Sequence, residues 1–126
     1  MGAETALTAG DRRWLSPLPL WTGILAGPIA WSLNHVVSYA LAQWSCSHQR
    51  AGVLFSVSLS AFVVTVLGGV VASIALRHTP ADAPTDGGRP RQRARFMALL
   101  GLAISAFFAL TILAYAIPPW VLDVCD

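Results

Sequence analysis

Hydrophobic positions along this chain fall in three long blocks, Leu20 to Trp44, Val53 to Leu76 and Phe96 to Ile117. Polar segments at 1–19, 45–52, 77–95 and 118–126 separate and flank them. Each block exceeds the ~20 residues that a helix needs to cross ~30 Å of hydrocarbon. A backbone in lipid must satisfy its own N–H and C=O groups, which leaves helices or closed barrels. A barrel needs many short segments of alternating polarity, and the blocks show none. The pattern therefore predicts an all-α integral membrane protein with three transmembrane helices.

Composition strengthens that picture. Of 126 residues, 56% are hydrophobic and 11% charged, against about 25% charged in globular domains. Ala40-Leu41-Ala42 has the look of a signal-peptide cleavage site. However, the first block is too long for one, follows a polar lead and carries Asn34 and His35 near its centre. Arginine sets the orientation, because basic residues gather on the cytoplasmic side. Arg12, Arg13, Arg77, Arg89, Arg91, Arg93 and Arg95 lie in the first and third polar segments, and Arg50 alone lies in the second. That bias places the N-terminus in the cytoplasm and the C-terminus in the periplasm. The abundance of Ala, Arg and Gly suits a GC-rich bacterial genome, hence a multi-pass protein of a bacterial inner membrane. Trp21, Trp44 and Trp120 stand at block ends, where indoles favour the interface.

Two cysteines are too few and too far apart for a zinc motif. With three spans, Cys46 and Cys125 end on the same outer, oxidising face, and Pro118-Pro119 turns the tail sideways. A disulfide between them is expected, contributing ~4–5 kcal/mol through loop closure.

Small residues recur every four positions. The second block has Ala61, Thr65, Gly69 and Ser73, and the third has Gly101, Ser105 and Ala109. The first has Gly23 and Gly27, with a separate line of Ala26, Ala30, Asn34, Ser38 and Ala42. Such stripes let helix backbones approach closely in lipid, either within the chain or against another subunit. Asn34 and His35 form a buried polar pair flanked by Trp31 and Tyr39. Haem ligation would need a second histidine at matching depth, and His48 and His78 lie at opposite ends. A hydrogen bond from His35 to a neighbouring helix or subunit is the simpler role. Pro28 is expected to bend the same helix.

Arg89, Arg91, Arg93 and Arg95 alternate along a linker made flexible by its Pro, Gly and Asp residues, and read as a basic strip facing anionic lipid. A nucleic-acid role would want a folded platform or interleaved aromatics, and neither is present. The spans contain no carboxylate, and the chain has no phosphate-binding glycine loop or Ser/His/Asp set. No catalytic residue, metal or cofactor is expected.

Three segments resemble a known pattern: Gly27-Pro28-Ile29-Ala30-Trp31 with Tyr39-Ala40-Leu41 and Trp44-Ser45-Cys46, then Arg95-Phe96-Met97-Ala98-Leu99-Leu100-Gly101, and the ending Ile117-Pro118-Pro119-Trp120-Val121-Leu122-Asp123-Val124-Cys125. They resemble small uncharacterised bacterial three-helix membrane proteins encoded beside haem–copper cytochrome c oxidases and their assembly factors. In that family a histidine often follows the Ala-Trp pair by three residues. Here Asn34 holds that position and His35 follows it. The resemblance implies a non-catalytic accessory subunit of a respiratory membrane complex, packed on the oxidase core. The alternatives are an oxidase assembly factor, or an auxiliary subunit of a photosynthetic or dehydrogenase complex.

The orientation and the sulfur pairing are tested together. In oxidising buffer Cys46 and Cys125 should resist alkylation. After reduction both should react with a membrane-impermeant maleimide added to spheroplasts. Labelling that requires membrane disruption would reverse the topology.

Overall fold

A computed structural model describes residues 9–14, 16–50, 52–79 and 90–122, so that Arg89 and Cys125 lie outside the described residues. Among the described residues five helices follow in order: α1 Ala9–Trp14, α2 Pro17–His48, α3 Gly52–Arg77, α4 Pro90–Ala116 and α5 Pro118–Val121. No strand occurs among the described residues. Three helices are long and apolar enough to cross a membrane, and α2, α3 and α4 all pack against one another.

The helices outrun the apolar blocks that announce them. Proline at the first helical position has its φ already set and no N–H to waste, so Pro17 and Pro90 open α2 and α4 rather than delaying them. The last part of the arginine linker is thereby helical. At 3.6 residues per turn, alternation no longer keeps one side. Arg91 and Arg95 are half-buried, and only Arg93 of the described three is exposed. Arg95 Nη1 donates to the Thr79 carbonyl at 3.3 Å and ties the start of α4 to the end of α3. Arg91 and Arg95 therefore share one side of α4, and Arg93 points away from it.

Gln49 closes α2 in the left-handed region, at φ 51°, and α3 begins three residues later. Ser45, 3% exposed, joins both ends of this turn: its carbonyl accepts the Arg50 N–H at 3.1 Å, and its hydroxyl donates to the Arg50 carbonyl at 2.9 Å. Pro28 sits inside the continuous α2, where it cannot donate to the carbonyl one turn back.

Side-chain size is distributed inside out relative to a water-soluble bundle. The buried set is Ala30, Ala61, Ala72, Ala75, Ala94 and Ala98 with Leu20 and Ile112, plus buried glycines, Thr65 and Ser105. Leucines, valines and phenylalanines point outward, as with Leu33, Leu67 and Phe107 at 60%, 57% and 64% exposure. Helices apolar all round suit a hydrocarbon solvent. With no water to drive apolar faces together, close backbone packing holds the bundle.

That packing is tight. A Cβ on Gly101 would lie 3.2 Å from the Gly23 carbonyl carbon, one on Gly23 would lie 3.1 Å from Ala72 Cβ, and one on Gly68 only 2.6 Å from Ala26 Cβ. A Cβ on Gly27 would lie 3.3 Å from the Phe108 side chain. Most span hydroxyls donate within their own helix, Thr65 to Ala61 O at 2.9 Å among them. Ser105 crosses instead, reaching the Gly23 carbonyl at 3.3 Å.

Gly68→Ala should destabilise the bundle by about 1–3 kcal/mol, because backbone must shift to admit the methyl group. Gly52→Ala, with open space around it, should stay within about 0.5 kcal/mol of the parent, helped by alanine's helix propensity. Reversible unfolding in mixed micelles followed by circular dichroism gives both numbers. Equal effects would contradict this packing.

Candidate functional site

The contact faces explain where the site forms. Buried positions on α2 are Leu20, Gly23, Gly27, Ala30 and Asn34, and those on α3 are Ala61, Thr65, Gly68, Ala72 and Ala75. On α4 they are Ala94, Ala98, Gly101, Ser105 and Ile112. The steps alternate between three and four residues, the seam of heptad packing. A stride of four overshoots a helical turn by about 40° at each step, so a stripe of fours walks off the seam. Ala61 and Thr65 therefore lie on it while Gly69 and Ser73 are only half-buried. Gly69 still meets Ser105 Cβ at 3.3 Å, and Ser73 donates to the Val70 carbonyl of its own helix. Gly101 and Ser105 are central, with Ala109 beside them half-buried. Gly23, Gly27, Ala30 and Asn34 share one face of α2 instead of two separate lines, and Ala26, half-buried, meets Gly68.

Asn34 and His35 part company. Asn34 is buried at 7% exposure, and its Oδ1 accepts from Ser38 Oγ at 3.5 Å. His35 is exposed on the bundle's outer surface, which corrects the expectation of a buried pair. One residue of helix is a 100° rotation, and only one of the two can face the seam. The His35 ring stacks on Trp31 at 5.6 Å and meets Tyr115 edge-on at 6.1 Å. Trp31 in turn packs against Phe108 at 5.8 Å. Since Tyr115 is the penultimate residue of α4, His35 stands level with the end of the third span rather than at mid-depth.

Beyond that level α4 no longer fills the space beside α2 and α3. α2 continues from His35 to His48, ~20 Å further at 1.5 Å per residue. A cavity of about 330 Å³ lies there. α2 supplies Trp31, Asn34, His35 and Ser38, α3 supplies Phe55 and Ser58, and α4 supplies Tyr115. Among the described residues, no arginine, aspartate or glutamate lines it. Its polar groups have unused capacity. The Asn34 amide donor has no partner among the described residues. Ser56, Ser60, Thr65 and Ser73 each donate to a carbonyl of α3, whereas Ser58 and Tyr115 show no hydrogen bond. Only Asn34 in this set was marked by its sequence. Ser58 and Tyr115 join it because α4 stops where it does.

A second, larger cavity of about 670 Å³ is a groove between α2 and α3. Ala26, Ala30 and Ala61 line it alongside Leu18, Leu33 and Val64. It follows α2 from Leu18 to Val37, ~28 Å of helix.

Cys46 is half-buried near the end of α2 and is not a free thiol. Its expected partner Cys125 lies outside the described residues. No cluster of three metal-ligating side chains occurs among the described residues.

Depth is measurable. In a Cys46→Ser, Cys125→Ser background, a spin label at His35→Cys should be relaxed strongly by an aqueous nickel chelate, and one at Leu67→Cys by oxygen dissolved in lipid. Equal aqueous accessibility at both positions would refute the placement of His35 at the edge of the span. Compared with known protein families, characterised proteins and solved structures, the chain matches none.

Proposed function

We propose that the chain is a non-catalytic accessory subunit of a bacterial respiratory membrane complex, seated on the core of a haem–copper cytochrome oxidase. It lies in the inner membrane with its N-terminus in the cytoplasm, its C-terminus in the periplasm and Cys46 paired to Cys125. The observation that carries the reading is the groove between α2 and α3. Its length approaches the ~30 Å hydrocarbon thickness, and its small-residue positions Ala26, Ala30 and Ala61 leave room for a partner helix to approach closely. The heptad seams are already used to close the bundle, so this groove is the face left for a neighbour. The sequence resemblance supplies the identity of that neighbour.

Nothing in this role requires the chain to carry electrons. It adds apolar contact and a docking surface to a larger assembly, and the half-buried Arg91 and Arg95 keep one end at the lipid headgroups.

A tagged copy expressed from its own locus, extracted in mild detergent, should co-purify with oxidase core subunits at near-unit stoichiometry and with the full haem absorption of the enzyme. Ser60→Trp and Val64→Trp, which fill the groove from exposed positions, should reduce that recovery at least several-fold. Enrichment of haem-deficient oxidase alone would indicate an assembly factor. Recovery of a different complex would replace the oxidase.

A further inference from the structure

The cavity at the end of α4 carries a ligand assignment of its own, independent of the oxidase reading. Its walls are aromatic and aliphatic, with Trp31, Phe55 and Tyr115 around it. Three groups at the cavity, Asn34 Nδ2, Ser58 Oγ and Tyr115 Oη, can each donate a hydrogen bond and meet no acceptor among the described residues. Asn34 is more than nine-tenths buried. A ligand that completes this site offers two or more acceptors on a flat, uncharged body. Among the described residues no arginine lines the cavity, so they offer a phosphate headgroup no countercharge. The volume, about 330 Å³, is at the small end of ligand pockets and suits one substituted ring rather than a phospholipid. Exposed His35 and Phe55 flank the cavity at the edge of the span, so a hydrocarbon tail attached to the ring can run back along the bundle into lipid.

We infer that this cavity binds the head ring of a membrane quinone, one ring carbonyl accepting from the Asn34 amide and the opposite carbonyl from Ser58 or Tyr115. The ring lies against Trp31, whose face is held by His35. Binding is all that is assigned: the site holds the quinone without reducing it.

Trp31, in the cavity wall, makes the test direct. The purified full chain, in nanodiscs of phosphatidylcholine, is titrated with a decyl-substituted benzoquinone, and tryptophan emission is followed. The expected result is saturable quenching at one quinone per chain, most of it lost in Trp31→Phe. Asn34→Leu should weaken binding on the order of tenfold, the worth of one hydrogen bond. If that variant does not fold, Ser58→Ala and Tyr115→Phe serve instead, and together should weaken binding at least fivefold. Decylbenzene, which has the ring and tail without carbonyls, should not compete. Quenching that rises without saturation, competition by decylbenzene, or unchanged affinity in the donor variants overturns the assignment. Displacement of the quinone by added phosphatidylglycerol would also overturn it, and would give the site to a lipid headgroup. None of these outcomes depends on which complex the chain joins.

Discussion

The approach of α4 to α2 at Gly101 and Gly23, with Ala72 of α3 closing the third side, is the contact on which the bundle rests. In lipid a buried leucine gains little over an exposed one, since both sit in hydrocarbon. What distinguishes the folded state is the distance at which backbones and small side chains meet. Gly68 against Ala26 and Gly27 beneath the Phe108 ring extend that closeness along the seam. The Ser105 hydroxyl spans the same gap to the Gly23 carbonyl, a bond that only a short interhelical distance allows. Large side chains are consequently displaced to the perimeter, and the outward Leu, Val and Phe faces follow from the inward Gly and Ala faces.

The spans were legible because their signal is coarse: a helix must be about as long as the membrane is thick, and no finer pattern is needed to see it. The seam was less legible. A stride of four picks out Ala61 with Thr65 and Gly101 with Ser105 but misses the step of three from Thr65 to Gly68, because a packed face follows the 3.5-residue average and not a whole number. The arginines show the same limit of counting. Alternation has meaning on an extended chain, and Pro90 starts a helix before the strip is complete.

Depth was the hardest quantity to read. Counting along α2 puts His35 in the middle of an apolar block, but the block is longer than the span it must share with α4. Only the pairing of His35 with Tyr115 fixes its level. The cavity beside it is likewise invisible in any one segment, since its three donors come from three helices. Ser58 differs from Ser56 and Ser60 only in which way the helix turns it.

The unequal reach of the long helices has a consequence for the surrounding bilayer. On the flank formed by α4 the greasy wall stops at Ala116, while α2 carries on to His48. Lipids on opposite flanks of the same protein thus meet walls of different height, and a rigid rod of that shape relieves the mismatch by leaning. The lean lowers the taller shoulder towards the headgroups and brings the shorter one up to meet them. A bundle with a step in its rim therefore has a preferred tilt written into where one helix ends.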